Sequence, residues 1–80
     1  MKDYTDLIKK IMSIIFDEDI INISDDAEPL EIDQWDSINH LQLIVALEEE
    51  FEIKFSDDEL TELLNLPLIN NIIQQKLKDR

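Results

Sequence analysis

The chain has 80 residues, enough for one domain with a small core, since a chain this short buries only about 60% of its unfolded surface. It has 20 Asp and Glu residues against 7 Lys and Arg, a formal net charge of −13, and no cysteine. That charge repels nucleic-acid phosphates and anionic membrane surfaces, and the lack of thiols excludes disulfides, thiolate zinc sites and thiol nucleophiles. We therefore expect basic proteins as partners, and no nucleic acid.

The N-terminal stretch MKDYTDLIKK mixes charged and apolar residues, unlike a signal peptide, and no segment approaches the ~20 apolar residues of a membrane span. These features predict a cytoplasmic protein without a membrane span. The single small core and the high like charge favour a monomer.

The first predicted element is an amphipathic helix over residues 3–16, with Asp3 or Thr5 as its cap. No sustained period follows in residues 17–35, which predicts a long loop leading to Ser37. We expect four apolar residues to anchor this loop to the core: Ile21, Ile23, Leu30 and Ile32.

A second helix is predicted over residues 37–51. Its apolar residues predict a buried stripe formed by Leu41, Ile44, Leu47 and Phe51, with Ile38 and Val45 toward one flank.

Two further helices follow in the C-terminal third of the chain. Ser56 and Glu59 have the spacing of a capping box, which predicts a short helix over residues 57–64. Pro67 then suits the first turn of a last helix. Because the chain has no glycine, helix C-termini must use Asn, Asp or fraying. No segment alternates with period two, so we predict an all-α fold in one domain over residues 1–80. It is a small four-helix bundle of three principal helices and one short helix, with a long loop between the first two.

Several kinds of site are disfavoured by residue type. Asp36, Ser37 and His40 lie within about one helical turn of a small bundle that offers no substrate cleft for a hydrolase. His40 is the only histidine, which is more typical of a solvated helix residue than of a metal ligand. The acidic loops lack the glycine of an EF-hand, and phosphate-binding loops also need glycine. We therefore expect no metal site and no enzymatic activity.

Ser37 stands where the second helix begins, and two interpretations are open. Asp36 and Ser37 can both be ordinary residues of a helix N-terminus. Alternatively, Asp36 caps the helix and leaves the Ser37 hydroxyl free for a covalent modification. An anion attached there would be stabilised by about 0.3–1 kcal/mol by the helix dipole.

The stretch WDSINHLQLIVALEEEFEIKFSDDEL, in an acidic chain of this length with one helix before it, resembles the acyl carrier protein family, including peptidyl carrier domains. In that family an Asp-Ser-Leu motif opens the second helix of a four-helix bundle. The resemblance implies that Ser37 receives 4'-phosphopantetheine from coenzyme A and that Asp36 is the motif aspartate. Ile38 replaces the usual leucine, a conservative change.

The resemblance also implies a docking surface on the second helix for partner enzymes with basic patches, among them a phosphopantetheinyl transferase and acyl- or aminoacyl-loading and acyl-transfer enzymes. It assigns to this surface Ile38, Leu41, Val45, Glu48, Glu49 and Glu52. Periodicity instead places Leu41 in the core, so both positions for this side chain are open.

The function implied is that of a carrier, which holds acyl or aminoacyl intermediates as thioesters on the arm at Ser37. The pathway can be fatty acid, polyketide or nonribosomal peptide biosynthesis. The alternative is an acidic helical adaptor that binds a basic protein noncovalently and makes no chemical use of Ser37.

Overall fold

The computed structural model describes residues 3–79, and within that range the regular structure is entirely helical. The all-α prediction is confirmed. Four α-helices are present: α1 (Thr5–Phe16), α2 (Ser37–Phe51), α3 (Asp57–Leu60) and α4 (Leu66–Lys78). Two single-turn 3₁₀ helices lie in the loop between α1 and α2: Ile20–Asn22 and Pro29–Glu31.

One hydrophobic core joins the three long helices. Each of these helices is marginal in isolation, and burial at roughly 1.5–3 kcal/mol per large apolar side chain stabilises the bundle. The buried helical residues are Ile8, Met12 and Phe16 from α1, Leu43, Ile44, Leu47 and Phe51 from α2, and Leu66, Ile69 and Ile73 from α4.

The start of α1 is held by α4, which the sequence did not indicate. Neither predicted residue is the N-cap, which is Tyr4 and makes no side-chain cap hydrogen bond. The Asp3 carboxylate nevertheless accepts hydrogen bonds from the Thr5 backbone N–H and hydroxyl. Asn70 of α4 accepts from the Tyr4 backbone N–H at 3.0 Å and donates to Asp3 at 3.1 Å. The two ends of the described chain are therefore joined by polar contacts.

The loop between α1 and α2 uses only half of its predicted anchors. Ile23 and Ile32 are buried, whereas Ile21 and Leu30 are 87% and 92% exposed, so the prediction for those two residues was wrong. Each exposed residue is the middle residue of a 3₁₀ turn, and each buried residue directly follows such a turn. The change in backbone direction where each turn ends brings the following side chain into the core.

The limits of α2 agree with the prediction, but its buried face is rotated. Leu41 is 63% exposed, and Leu43 is completely buried in its place. The assignment of Leu41 to the core was therefore wrong. The apolar run LQLIVAL admits more than one apolar face, and packing against α1 selects Leu43, Ile44 and Leu47.

The predicted capping box begins α3. The Ser56 Oγ accepts from the Glu59 backbone N–H at 3.2 Å, and the Glu59 carboxylate accepts from the Ser56 backbone N–H at 2.8 Å. Glu59 also pairs with Lys76 of α4 at 2.8 Å, and this hydrogen bond is the main cause that lowers the pKa of the Glu59 carboxyl. The helix ends at Leu60 and is shorter than predicted.

Two helices end in a left-handed residue that is not glycine. Asp17 follows α1 with φ of 51°, and Glu52 follows α2 with φ of 53°. Asp17 agrees with the prediction that Asn or Asp would end helices in a chain without glycine. Glu52 does not, since glutamate was not among the predicted residue types. Left-handed backbone is unfavourable for residues with a Cβ, so both positions are strained.

Candidate functional site

Ser37 is the first residue of α2, and its side chain is exposed. Asp36 is the N-cap of the helix, and its Oδ1 accepts from the Asn39 backbone N–H at 2.9 Å. The cap is therefore made by the aspartate. Within residues 3–79 the Ser37 hydroxyl has no hydrogen-bond partner, so it is free to react.

Trp35 fixes the entry of the chain into α2. Its indole is only 4% exposed and stacks on Phe16 at the end of α1, with ring centroids 5.3 Å apart. At the edge of the indole lies the His40 ring, nearly coplanar with it at an interplanar angle of 23°, and the indole Nε1 donates to His40 Nδ1 at 2.9 Å. The Asn39 side chain adds a second tie, since it donates to the Gln34 carbonyl at 2.7 Å. The residues before Ser37 are thus fixed both by the side chain of Trp35 and by the backbone carbonyl of Gln34.

His40 is half-buried against this indole and is not the solvated residue that the sequence suggested. Burial lowers the pKa of its imidazole, because desolvation disfavours the charged form. The bond from Trp35 also requires an unprotonated Nδ1. Sequence periodicity gave no sign of this pair, since a tryptophan in a loop and a histidine on a helix meet only in the folded chain.

An open, mostly apolar groove of about 450 Å³ lies beside Ser37. Its lining comes from the loop, the first turn of α2 and the segment before α4: Pro29, Trp35, Asp36, Ser37, His40, Leu41, Leu63 and Leu64. A chain attached to the Ser37 hydroxyl would begin at the edge of this groove.

An exposed apolar stripe on α2 begins next to Ser37. Ile38, Leu41 and Val45 are 69%, 63% and 53% exposed, and their spacing of three and four residues places them on one helix face. Continued toward the C-terminus, the same spacing reaches Glu49, which is exposed, and the exposed Glu52 follows directly after the helix. The sequence therefore places apolar and acidic side chains along one side of α2.

Glu48 differs from the other glutamates of this stripe. Its Oε2 accepts from the Phe55 backbone N–H at 3.0 Å, across the turn that follows α2. The side chain is half-buried, so this carboxylate has a structural role in addition to the surface role expected of it.

The chain is similar to known carrier proteins along almost its entire length. The acyl carrier protein of Buchnera aphidicola subsp. Acyrthosiphon pisum is 36% identical over 76 residues, which cover 95% of each chain. The chain belongs to the acyl carrier protein family. Polyketide-8 synthase acyl carrier protein 2 of Streptomyces avermitilis is 28% identical over 72 residues, which cover 90% of this acyl carrier protein and 83% of that one.

A solved structure of an acyl carrier protein has the same fold as this chain. The holo acyl carrier protein from Geobacter metallireducens, determined by solution NMR, superposes with a TM-score of 0.83 at 35% identity. The match covers 95% of this acyl carrier protein and 88% of the other chain. No protein-family model matches the chain.

Membership in the acyl carrier protein family gives the protein a carrier role among biosynthetic enzymes, and it is not itself an enzyme. Among residues 3–79 no group of three or more His, Asp or Glu side chains is arranged to hold a metal ion. In the same part of the chain, no helix has the length and apolar character needed to cross a membrane.

Proposed function

We propose that this acyl carrier protein holds acyl or aminoacyl groups as thioesters on a 4'-phosphopantetheine arm attached to Ser37. The observation that carries the proposal is the exposed Ser37 hydroxyl, which has no partner among the described residues and lies beside an aspartate that makes the helix cap. A serine that itself capped the helix would lose its own cap bond on modification. Here the modification leaves the Asp36 cap intact.

The surroundings of Ser37 fit such an arm. The hydroxyl lies at the edge of an open groove, so no side chain must move away before a phosphodiester is attached. When bound, the arm supplies the thiol that carries the acyl group, which this cysteine-free chain cannot supply itself. The residues of the protein hold the attachment point: Asp36 caps the helix, and Trp35 anchors the preceding loop.

We further propose that the exposed stripe of α2 is the docking surface. Apolar contact through Ile38, Leu41 and Val45 gives the partner a complementary patch, and the acidic end of the stripe attracts basic side chains. Steering of this kind speeds encounter more than it tightens binding, which suits a carrier that must release its cargo. The partners are a phosphopantetheinyl transferase and acyl-loading and acyl-transfer enzymes. In this role residues 1–80 act as one carrier domain in the cytoplasm.

Intact mass measurement tests the attachment site. The purified protein is incubated with coenzyme A, magnesium and a broad-specificity phosphopantetheinyl transferase, beside Ser37→Ala and the matched control Ser24→Ala, which alters an exposed serine of the loop. We expect one added phosphopantetheine on the native chain and on Ser24→Ala, and none on Ser37→Ala. If the folded native protein gains no mass with two different transferases, the proposal fails, and a noncovalent acidic adaptor becomes the better explanation.

A further inference from the structure

The hydrogen bond between Trp35 and His40 fixes the tautomer of the histidine. An indole Nε1–H can only donate, so His40 Nδ1 must accept at the observed 2.9 Å. In a neutral imidazole the proton then resides on Nε2, which becomes a hydrogen-bond donor. The lowered pKa that burial gives His40 keeps this neutral form populated near neutral pH.

The Nε2 donor of His40 is available to a ligand. Within residues 3–79 this atom has no hydrogen-bond partner. Every buried side-chain nitrogen or oxygen in that range does have a partner, so an atom without one is not buried. The Nε2 atom therefore reaches the molecular surface. His40 and Ser37 both line the same groove, so a group attached to Ser37 would lie beside this imidazole.

His40 also has the correct spacing from the attachment point. It follows Ser37 by three residues on α2, and side chains at this separation have Cβ atoms about 5–6 Å apart. The first group beyond the Ser37 oxygen in the proposed arm is a phosphodiester, whose negative charge lies near the Asp36 carboxylate. Asp36 is the other ionisable side chain among the described residues that line the groove. A donor on the opposite side would offset this like-charge contact.

We infer that His40 binds the phosphodiester at Ser37, with its Nε2–H donating to a non-bridging phosphate oxygen while Trp35 holds the imidazole ring in place. The inference rests on the proposed function, since the phosphodiester is the group added to Ser37. It assigns Trp35 as the positioning residue and His40 as the residue that contacts the ligand.

Attachment of the arm should change how readily His40 binds a proton. A neighbouring anion favours the protonated imidazole, so attachment of the arm raises the pKa of His40 relative to the unmodified protein. Among the residues that line the groove with His40, Asp36 is the one other titratable group, and the rest are uncharged: Pro29, Trp35, Ser37, Leu41, Leu63 and Leu64. Attachment of the phosphodiester therefore adds one negative charge near His40 and leaves the other groups around the imidazole unchanged.

NMR titration of the unmodified and modified proteins tests the inference. His40 is the only histidine, so its imidazole signals are unambiguous in the untagged protein. We expect a higher pKa of His40 in the modified form, and a ³¹P resonance that shifts with that same pKa between about pH 5 and 8, where a phosphodiester does not itself titrate. Both effects should persist at 1 M salt, where the screening length is only about 3 Å. A pKa of His40 that is equal in both forms, or a difference that vanishes at 1 M salt, would overturn the inference.

The variant His40→Asn separates ligand contact from a purely structural role. Asparagine can present its Oδ1 to the Trp35 Nε1–H, but it has no group at the position of Nε2 and does not titrate. We expect the modified variant to show a ³¹P resonance that does not move with pH, whereas an unchanged ³¹P titration would contradict the inference.

Mass measurement distinguishes failure of the proposed function from failure of this inference alone. If Ser37 is not modified, the proposed function and this inference both fail, whereas a modified protein without these shifts overturns only the inference.

Discussion

The indole of Trp35 stacks on the ring of Phe16 with ring centroids 5.3 Å apart, and this contact joins the last residue of α1 to the residue before the N-cap of α2. The interplanar angle is 29°, and both side chains are buried. The start of α2 is therefore positioned by an aromatic contact with the core, although 20 residues of loop separate the two helices along the chain.

Replacement of the Trp35 indole should destabilise the folded protein. We expect Trp35→Ala to lower the free energy of unfolding by about 3–5 kcal/mol, because it leaves a cavity against Phe16 and removes the hydrogen bond to His40. The control Leu30→Ala, at a loop side chain that is 92% exposed, should change it by no more than about 0.5 kcal/mol. Urea denaturation measures both. Equal effects would show that the stacking does not anchor the loop.

The cap at Asp36 can be separated from any other role of this carboxylate. Asp36→Ala should destabilise the protein by about 0.5–2 kcal/mol, because the Asn39 backbone N–H loses its acceptor. Asp36→Asn should have little effect, since asparagine caps about as well as aspartate. Denaturant midpoints check this difference. If Asp36→Asn is as unstable as Asp36→Ala, the negative charge contributes and hydrogen bonding alone does not explain the cap.

His40 should make stability depend on pH. Burial lowers its pKa in the folded protein below the ordinary value of 6.5, so between these two pKa values the unfolded chain binds more protons. The contribution of His40 is thus fully present above about pH 6.5 and is lost as the pH falls toward the folded pKa. Unfolding free energies of the native protein and His40→Asn, measured across this window, should differ in slope, with the native protein falling more steeply on acidification. Parallel curves would contradict the prediction.

Leu41 and Leu43 form a matched pair for the rotated face of α2. Leu43→Ala removes a fully buried side chain and should cost about 2–5 kcal/mol, whereas Leu41→Ala should change stability by no more than about 0.5 kcal/mol. If the proposed docking surface is correct, Leu41→Ala should instead slow modification by the transferase. Denaturation and modification rates test the two variants together. The reverse order of stability would mean that Leu41, and not Leu43, is in the core.

The acidic end of the stripe should act through long-range attraction. Glu49→Lys reverses an exposed charge and should slow association with a basic partner enzyme, more at low salt than at high salt. Asp26→Lys makes the same change of net charge in the loop and serves as the control. Stopped-flow association rates at two ionic strengths measure the effect. Equal slowing by both variants would indicate that net charge, and not the position of Glu49, governs encounter.

The sequence predicts local features well and long-range ones poorly. The capping signals at Asp36 and Ser56 act within three residues, and the structure has both caps. The burial of Leu43 in place of Leu41 depends on which side of α2 meets α1, which an apolar run on a helix leaves undetermined. The bonds of Asn70 to the start of α1 span more than 60 residues, so no local pattern contains them.

The Trp35 and His40 pair shows the same limit within the candidate site. The two residues are only five apart, yet their bond requires the loop to turn so that the Nε1 edge of the indole faces the first turn of α2. Residue types alone favoured a solvated histidine, because a single imidazole has no metal partner. The resemblance to carrier proteins drew attention to Asp36 and Ser37, and it gave no role to the imidazole one turn later.

The left-handed residues Asp17 and Glu52 have a further consequence in a chain without glycine. Glycine would relieve the strain at both positions, but it would also enlarge the set of conformations open to the unfolded chain. Without it, less conformational entropy is lost when these turns become ordered. The two helix ends therefore combine an unfavourable folded backbone with a more restricted unfolded one, and their net effect on stability depends on both states of the chain.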